Sequence, residues 1–160
     1  MNEIGEVLVL ILVANGAPVM ATYLFSHRMP LPIDFGLRLN DQQYLFGITK
    51  TWRGLFSSLI ITSIVSGFMG YGIYSGLLIA LLAMSGDLVS SFIKRRLKKA
   101  SSSQFLFLDQ IPESFFPALG MMQVISLSLI QVIVITAVFT IMELVLSYLF
   151  YQIGIRKKPY

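Results

Sequence analysis

Residues 72–99 read GIYSGLLIALLAMSGDLVSSFIKRRLKK. From Gly72 to Ile93 run 22 residues with a single charge, Asp87, and then come Lys94, Arg95, Arg96, Lys98 and Lys99. About 20 mostly apolar residues suffice to cross a bilayer as a helix, so the run reads as a membrane span with a basic end. A carboxylate inside such a span is costly unless it has a partner or a task. On a helix Asp87, Ser91 and Lys94 recur at i, i+4 and i+7, so they share one face. An acid, a hydroxyl and an ammonium together at a membrane surface suit a phosphate and its metal ion.

Composition extends the membrane reading to the whole chain. Of 160 residues, 56% are hydrophobic and only 12% charged, and the mean hydropathy is +0.77. Soluble domains carry about 25% charged residues. Further spans fall at about residues 6–25 and 54–70. The run Phe115–Ile155 has 41 residues with one charge, Glu143. As one helix it would be about 60 Å long, twice the hydrocarbon thickness. It must therefore fold back between Ser126 and Gln131, which divides it into spans at about 114–128 and 131–153. The expectation is one all-α integral membrane domain over residues 1–160 with five transmembrane helices. The acidic start, with Glu3 and Glu6, is unlike a signal peptide, so the first apolar run is expected to be a retained span.

The bases decide orientation. All twelve fall in residues 26–53 (Arg28, Arg38, Lys50, Arg53), residues 94–113 (Lys94, Arg95, Arg96, Lys98, Lys99) or the tail (Arg156, Lys157, Lys158). With five spans every one lies on the same side, which the positive-inside rule makes cytoplasmic. The expected topology has the N-terminus outside, the C-terminus cytoplasmic and any chemistry facing the cytosol from a multi-pass position in the cell membrane. With no cysteines and one histidine, thiolate chemistry and a histidine metal site are excluded. His27, beside Arg28, reads as structural, and Ser101–Ser103 as flexible linker.

Several polar clusters carry chemistry. Gly47-Ile48-Thr49-Lys50-Thr51-Trp52-Arg53-Gly54 leads into the second span. Backbone N–H groups at a helix start, with Lys50, Thr51 and Arg53, suit a phosphate, although the two bases also fit anchoring at lipid headgroups. Around Asp87, anchoring explains Lys94, Arg95 and Arg96 but not the acid. Asp109, in Leu108-Asp109-Gln110, could join Asp87 on a hard cation such as Mg²⁺, which takes one or two carboxylates plus substrate phosphates. It could equally cap the following helix. In the first span, Asn15 and Pro18 mark either a kink or the wall of a polar cavity. Thr136, Thr140, Glu143 and Ser147 form a polar stripe on the last span, with Glu143 either in an interhelical hydrogen bond or facing a wet cavity.

Taken together, these segments resemble one family. Ala14-Asn15-Gly16-Ala17-Pro18, Pro32-Ile33-Asp34-Phe35-Gly36, Gly47–Gly54, Gly86-Asp87 through Arg96, Leu108-Asp109-Gln110 and Gly154–Tyr160 resemble, in order, the CDP-archaeol synthases, relatives of the phosphatidate cytidylyltransferases. The resemblance implies five spans, a cytosol-facing site, Mg²⁺ dependence and transfer of a cytidylyl group from CTP to a lipid phosphate. It implies that Asp87 and Asp109 hold or orient Mg²⁺. Lys50, Thr51, Arg53, Lys94 and Arg95 would bind triphosphate and lipid phosphate, and Asn15 and Pro18 would shape the wall near the nucleotide. Three positions depart from the family pattern. Pro112 stands where a second acid is usual, with Glu113 one residue later; Ser103–Phe107 lacks the usual glycines; and Ser147 replaces an asparagine.

The expected activity is thus an Mg²⁺-dependent cytidylyltransferase making a CDP-activated lipid, with Asp87, Asp109 and Lys94 as catalytic groups and Ser91 beside them at the substrate. The expected partners are CTP and a lipid phosphate in the bilayer, with no nucleic acid; a homo-oligomer stays open. The alternative is a non-enzymatic transporter or a subunit that binds anionic lipid. Ether or ester linkage, chain type and stereochemistry of the lipid are not encoded in any motif.

Overall fold

A computed structural model describes residues 3–25, 30–100, 103 and 105–155. The expectations for His27, Arg28, Ser101, Ser102 and the tail bases Arg156, Lys157 and Lys158 lie outside the described residues. Five α-helices make up the fold: α1 Glu3–Phe25, α2 Trp52–Phe68, α3 Ile73–Arg96, α4 Gln110–Ile125 and α5 Leu129–Gln152. Three of them, α1, α3 and α5, are long and apolar enough to cross a membrane. At 17 and 16 residues, α2 and α4 are about 26 and 24 Å long, short of the roughly 30 Å hydrocarbon layer.

Helices α2, α3, α4 and α5 pack in sequence as an arc, and α1 contacts all four. The core joins Val7, Leu10, Ile11 and Ala14 of α1 to Ile79, Ala80 and Ala83 of α3, with Ala118 and Met121 of α4 and Val132, Ile135 and Phe139 of α5. Small residues let the backbones approach closely. A Cβ on Gly76 would come within 2.5 Å of the Thr62 carbonyl, and one on Gly86 would collide with the Pro112 carbonyl of α4.

Pro18 lies inside α1 and removes the N–H that would have bonded the Ala14 carbonyl. Ser58 of α2 takes its place, donating to Ala14 O at 2.7 Å. The helix breaker is therefore tolerated because a neighbouring hydroxyl satisfies the freed acceptor.

The fold-back expected between Ser126 and Gln131 is present. Ser126 is left-handed at the end of α4, and Ser128 and Gln131 form a reciprocal capping box at the start of α5, which satisfies donors the helix start would otherwise leave open. Helix ends fall within four residues of the sequence reading, and two of the shifts bear on the charged residues. Helix α3 continues through Lys94, Arg95 and Arg96, where cations favour the carbonyl end of the helix dipole. Helix α4 begins at Gln110 rather than 114; Pro112 falls in its first turn, where a missing N–H costs nothing.

Residues 30–51 fold into a compact loop. Ile33 N donates to Lys50 O at 2.8 Å and Trp52 N to Leu31 O at 3.1 Å, which sets Lys50 and Thr51 at the start of α2. Buried Asp34 is the organiser. Its carboxylate accepts from Gly36 N at 3.0 Å, Phe46 N at 2.9 Å and Gly47 N at 3.2 Å. Burial alone would raise its pKa, but those three backbone donors outweigh it and hold the acid below the usual carboxylate range.

Candidate active site

The charged groups picked out in the sequence converge where the 30–51 loop meets α3 and α4. Lys50 Nζ lies 2.5 Å from both carboxylate oxygens of Asp87, and the two side chains are 25% and 17% exposed. Glu113, from the first turn of α4, interacts with Asp87 through its side chain. The ammonium of Lys50 is thus not spread at a headgroup layer but folded against an acid in the bundle. Burial by itself would lower the Lys50 pKa; Asp87, with Glu113 and Asp109, more than offsets it and keeps the amine above its ordinary value.

A second pair adjoins the first. Lys94 Nζ lies 2.6 Å from Asp109 Oδ1, an ion pair out of hydrogen-bond alignment, and also donates to Ser103 O at 3.1 Å. Asp109 does not cap α4 with its side chain; its Oδ2 accepts from Phe105 N at 2.9 Å. The pairs feel one another, since Asp109 acts on Lys50 and Lys94 acts on Asp87.

Around this cluster the remaining expected residues take distinct places. Ser91 is 2% exposed, and its Oγ has no hydrogen-bond partner among the described residues. It sits one turn beyond Asp87 on the same face of α3. A buried hydroxyl without a partner is costly, which marks a position that a ligand could satisfy. Arg95, 4% exposed, donates to Ala100 O at 3.0 Å. Thr51 caps α2, its hydroxyl accepting from Gly54 N at 3.2 Å. Arg53 donates to Thr22 Oγ1 at 3.2 Å. Pro18 backs this corner: a Cβ on Gly54 would stand 3.3 Å from Pro18 Cβ. Asn15 donates to Ile11 O at 3.0 Å and lines a cleft together with Glu113, Glu143 and Ser147.

Three residues were not assigned this role from sequence. Glu113 counted only as a misplaced acid, yet it contacts Asp87. Gln110 is 1% exposed; its Nε2 donates to Glu143 Oε2 at 2.8 Å and its Oε1 accepts from Phe107 N at 2.8 Å. That contact realises the interhelical hydrogen bond considered for Glu143. Arg96 bonds Asp41 Oδ2 at 2.5 Å and Tyr44 O at 2.7 Å, pinning the first loop onto the end of α3.

The donor set suits a hard divalent cation: carboxylate oxygens from Asp87, Glu113 and Asp109, a nearby hydroxyl and no soft ligand. Among the described residues no three acids gather closely enough to hold an ion unaided.

Residues 4–160 match the family described as CarS-like, CDP-archaeol synthase. The CDP-archaeol synthase of Sulfurisphaera tokodaii is 30% identical, over 93% of this chain and 90% of its own. That of Sulfolobus acidocaldarius is 31% identical, over 93% and 91%. That of Pyrococcus horikoshii is 38% identical, but the match takes in 49% of this chain and about half, 53%, of the relative. A solved structure, described as an intramembrane enzyme for archaeal membrane lipids biosynthesis, superposes with a TM-score of 0.69 at 22% identity, over 86% of this chain and 90% of that one. That likeness concerns the fold.

Proposed function

The chain belongs to the CarS-like CDP-archaeol synthase family, and from that premise we propose that it transfers a cytidylyl group from CTP to an archaeol-type lipid phosphate, giving CDP-archaeol. The observation that carries the proposal is the joined Lys50–Asp87–Glu113 and Lys94–Asp109 cluster, built from three separate sequence motifs. The relatives' activity supports an ether lipid of the archaeol type in place of the open lipid class read from sequence.

A phosphate oxygen of the lipid attacks the α-phosphorus of CTP in line. The new P–O bond forms as the bond to the β-bridging oxygen breaks, and pyrophosphate leaves with that electron pair. The attacking oxygen is already anionic at neutral pH, so no strong base is needed, consistent with a chain lacking cysteine and holding one histidine. Catalysis then rests on positioning and on neutralising charge. Lys50 and Lys94 exchange their carboxylates for phosphate oxygens, Arg53 and Arg95 bind the remaining phosphates, and Ser91 donates its buried hydroxyl. Mg²⁺, held by Asp87 and Asp109 with Glu113 beside them, would neutralise the phosphate charge when bound.

All five helices cross the membrane in this account, with α2 and α4 met by local thinning, and the cluster faces the cytoplasm, where CTP is available. The test is positional labelling. Label at the α-phosphate of CTP should enter lipid, and label at the γ-phosphate should not. Transfer from the γ-phosphate would make the protein a kinase and refute the proposal.

A further inference from the structure

We propose that the loop of residues 30–51 is seated in the cytoplasmic leaflet of the bilayer, with Leu31, Phe35, Leu37 and Ile48 as an apolar wedge just below the lipid headgroups. The partner of this surface is the lipid layer itself. The placement requires α2 to lie in the bilayer and holds whatever the reaction. All four side chains are exposed, Phe35 by 72%. Exposed apolar patches of this kind mark a membrane or protein contact.

The loop is built inside out. Its acid Asp34 is buried and takes up the N–H groups of Gly36, Phe46 and Gly47, while large apolar side chains are left outside. In water the reverse arrangement is the usual one. Below the headgroups, backbone donors find no water and must be satisfied from within, which Asp34 does. The polar side chains gather at the other end. Asn40, Asp41 and Gln42 are exposed at a tip closed by Leu39 N donating to Gln43 O at 3.0 Å, and Asp41 pairs with Arg96 at the cytoplasmic end of α3. The loop is thus apolar at one end and polar at the other, as an interfacial segment is.

Continuity with α2 selects lipid over a second copy of the chain. The Phe35 ring lies 6.3 Å from Trp52, and Trp52 stacks on Phe56 at 5.9 Å. Phe56, Ile60, Ile64 and Phe68 recur every four residues along α2 and are all exposed, so they form one row on its lipid side. The wedge prolongs that row past the start of α2. Helix α2 is about 4 Å short of the hydrocarbon layer, and apolar side chains added at its cytoplasmic end reduce the thinning it needs. Tyr23 and Phe25, exposed at the end of α1, flank the same corner, because Arg53 reaches Thr22. Together with Trp52 they make an aromatic belt at that depth.

The seat has a consequence for the charged cluster. Ile33 N bonds Lys50 O, and Trp52 N bonds Leu31 O, so the wedge and Lys50 are fastened to each other through the backbone. The depth of the wedge therefore sets the height of the Lys50 ammonium relative to the lipid headgroups, the level at which a lipid phosphate lies.

The experiment uses the fact that Trp52 is the only tryptophan. The full chain carrying Trp52→Phe and Phe35→Trp is placed in phosphatidylcholine liposomes, with lipid brominated on the upper part of its chains as one quencher and iodide in the buffer as the other. The brominated lipid should remove most of the emission, and iodide little of it. Asn40→Trp in the same Trp52→Phe background is the reference at the polar tip and should show the opposite pattern. Emission from position 35 that is open to iodide and untouched by brominated lipid would put the loop in water and overturn the proposal. Emission shielded from both quenchers would mean that protein, such as a second copy of the chain, covers the patch, and would overturn it equally. Should the position 35 variant fail to fold, Trp52→Phe with Ile48→Trp reads the same wedge, and the same two patterns would overturn it. No step of the test depends on catalysis, so its outcome is independent of the cytidylyltransferase reading.

Discussion

Replacing Asp87 with asparagine keeps its volume and removes its charge. Lys50 Nζ, 2.5 Å from both oxygens, then has no counter-charge in direct contact. Removing one partner of a fully buried pair costs about 3–5 kcal/mol. Here the side chains are 25% and 17% exposed, and solvent screening brings the cost to about 2–3 kcal/mol. That cost falls on the unfolding temperature, because in the reaction Lys50 turns from Asp87 to a phosphate oxygen. The fall in kcat comes instead from losing a carboxylate that would hold the cation, about 100-fold or more. The assay is incorporation of α-labelled CTP into lipid, with thermal unfolding in detergent as the control. The Asp87→Asn/Lys50→Met double variant separates two causes. If the pair serves the reaction, removing the stranded ammonium restores unfolding temperature but not activity. Wild-type activity in Asp87→Asn, or recovery of activity in the double variant, would refute the reasoning and leave the pair a structural bolt.

Other expectations concern the frame that holds the cluster. Ser58→Ala strands the Ala14 carbonyl freed by Pro18 and should cost about 1–3 kcal/mol of stability; an unchanged unfolding temperature would contradict it. Gly86→Ala drives a methyl into the Pro112 carbonyl and should cost about 1–3 kcal/mol by overpacking, with activity falling because Asp87 and Glu113 sit on the two helices forced apart; full stability and activity would count against that contact. Asp34 has a lowered folded-state pKa, so its contribution is present above the unfolded value of about 3.9 and is lost as pH falls through the folded value. Asp34→Asn should flatten the acid limb of the stability profile, and an identical limb in the variant would refute the role.

Much of the fold was legible because apolar length is a one-dimensional signal. A 41-residue apolar run exceeds any bilayer, so a turn near Ser126–Gln131 followed from length alone. Helix ends were less legible. Apolar counting stopped α3 before its charged last turn and started α4 after its polar first turn, whereas backbone hydrogen bonding runs through both.

At the site, helical periodicity correctly put Asp87, Ser91 and Lys94 on one face but said nothing of who meets whom. Asp87 pairs with Lys50, 37 residues away in sequence, and Lys94 pairs with Asp109. Glu113 looked displaced by one residue because position was counted along the chain. On the helix it lies four residues after Asp109, on the same face, and so still reaches Asp87. The bond between Gln110 and Glu143 depends on how α4 packs against α5, which no pattern within either segment encodes. Thr51 is the reverse case: its hydroxyl suited a phosphate in sequence, and locally it caps α2.

The most direct test of the central claim is the mass of the lipid product. Purified protein in liposomes, given CTP, Mg²⁺ and an archaeol-type lipid phosphate, should add one cytidylyl unit to the lipid and release one pyrophosphate per lipid converted. A lipid that gains only a phosphoryl group, or gains nothing while the protein remains folded, would contradict the account.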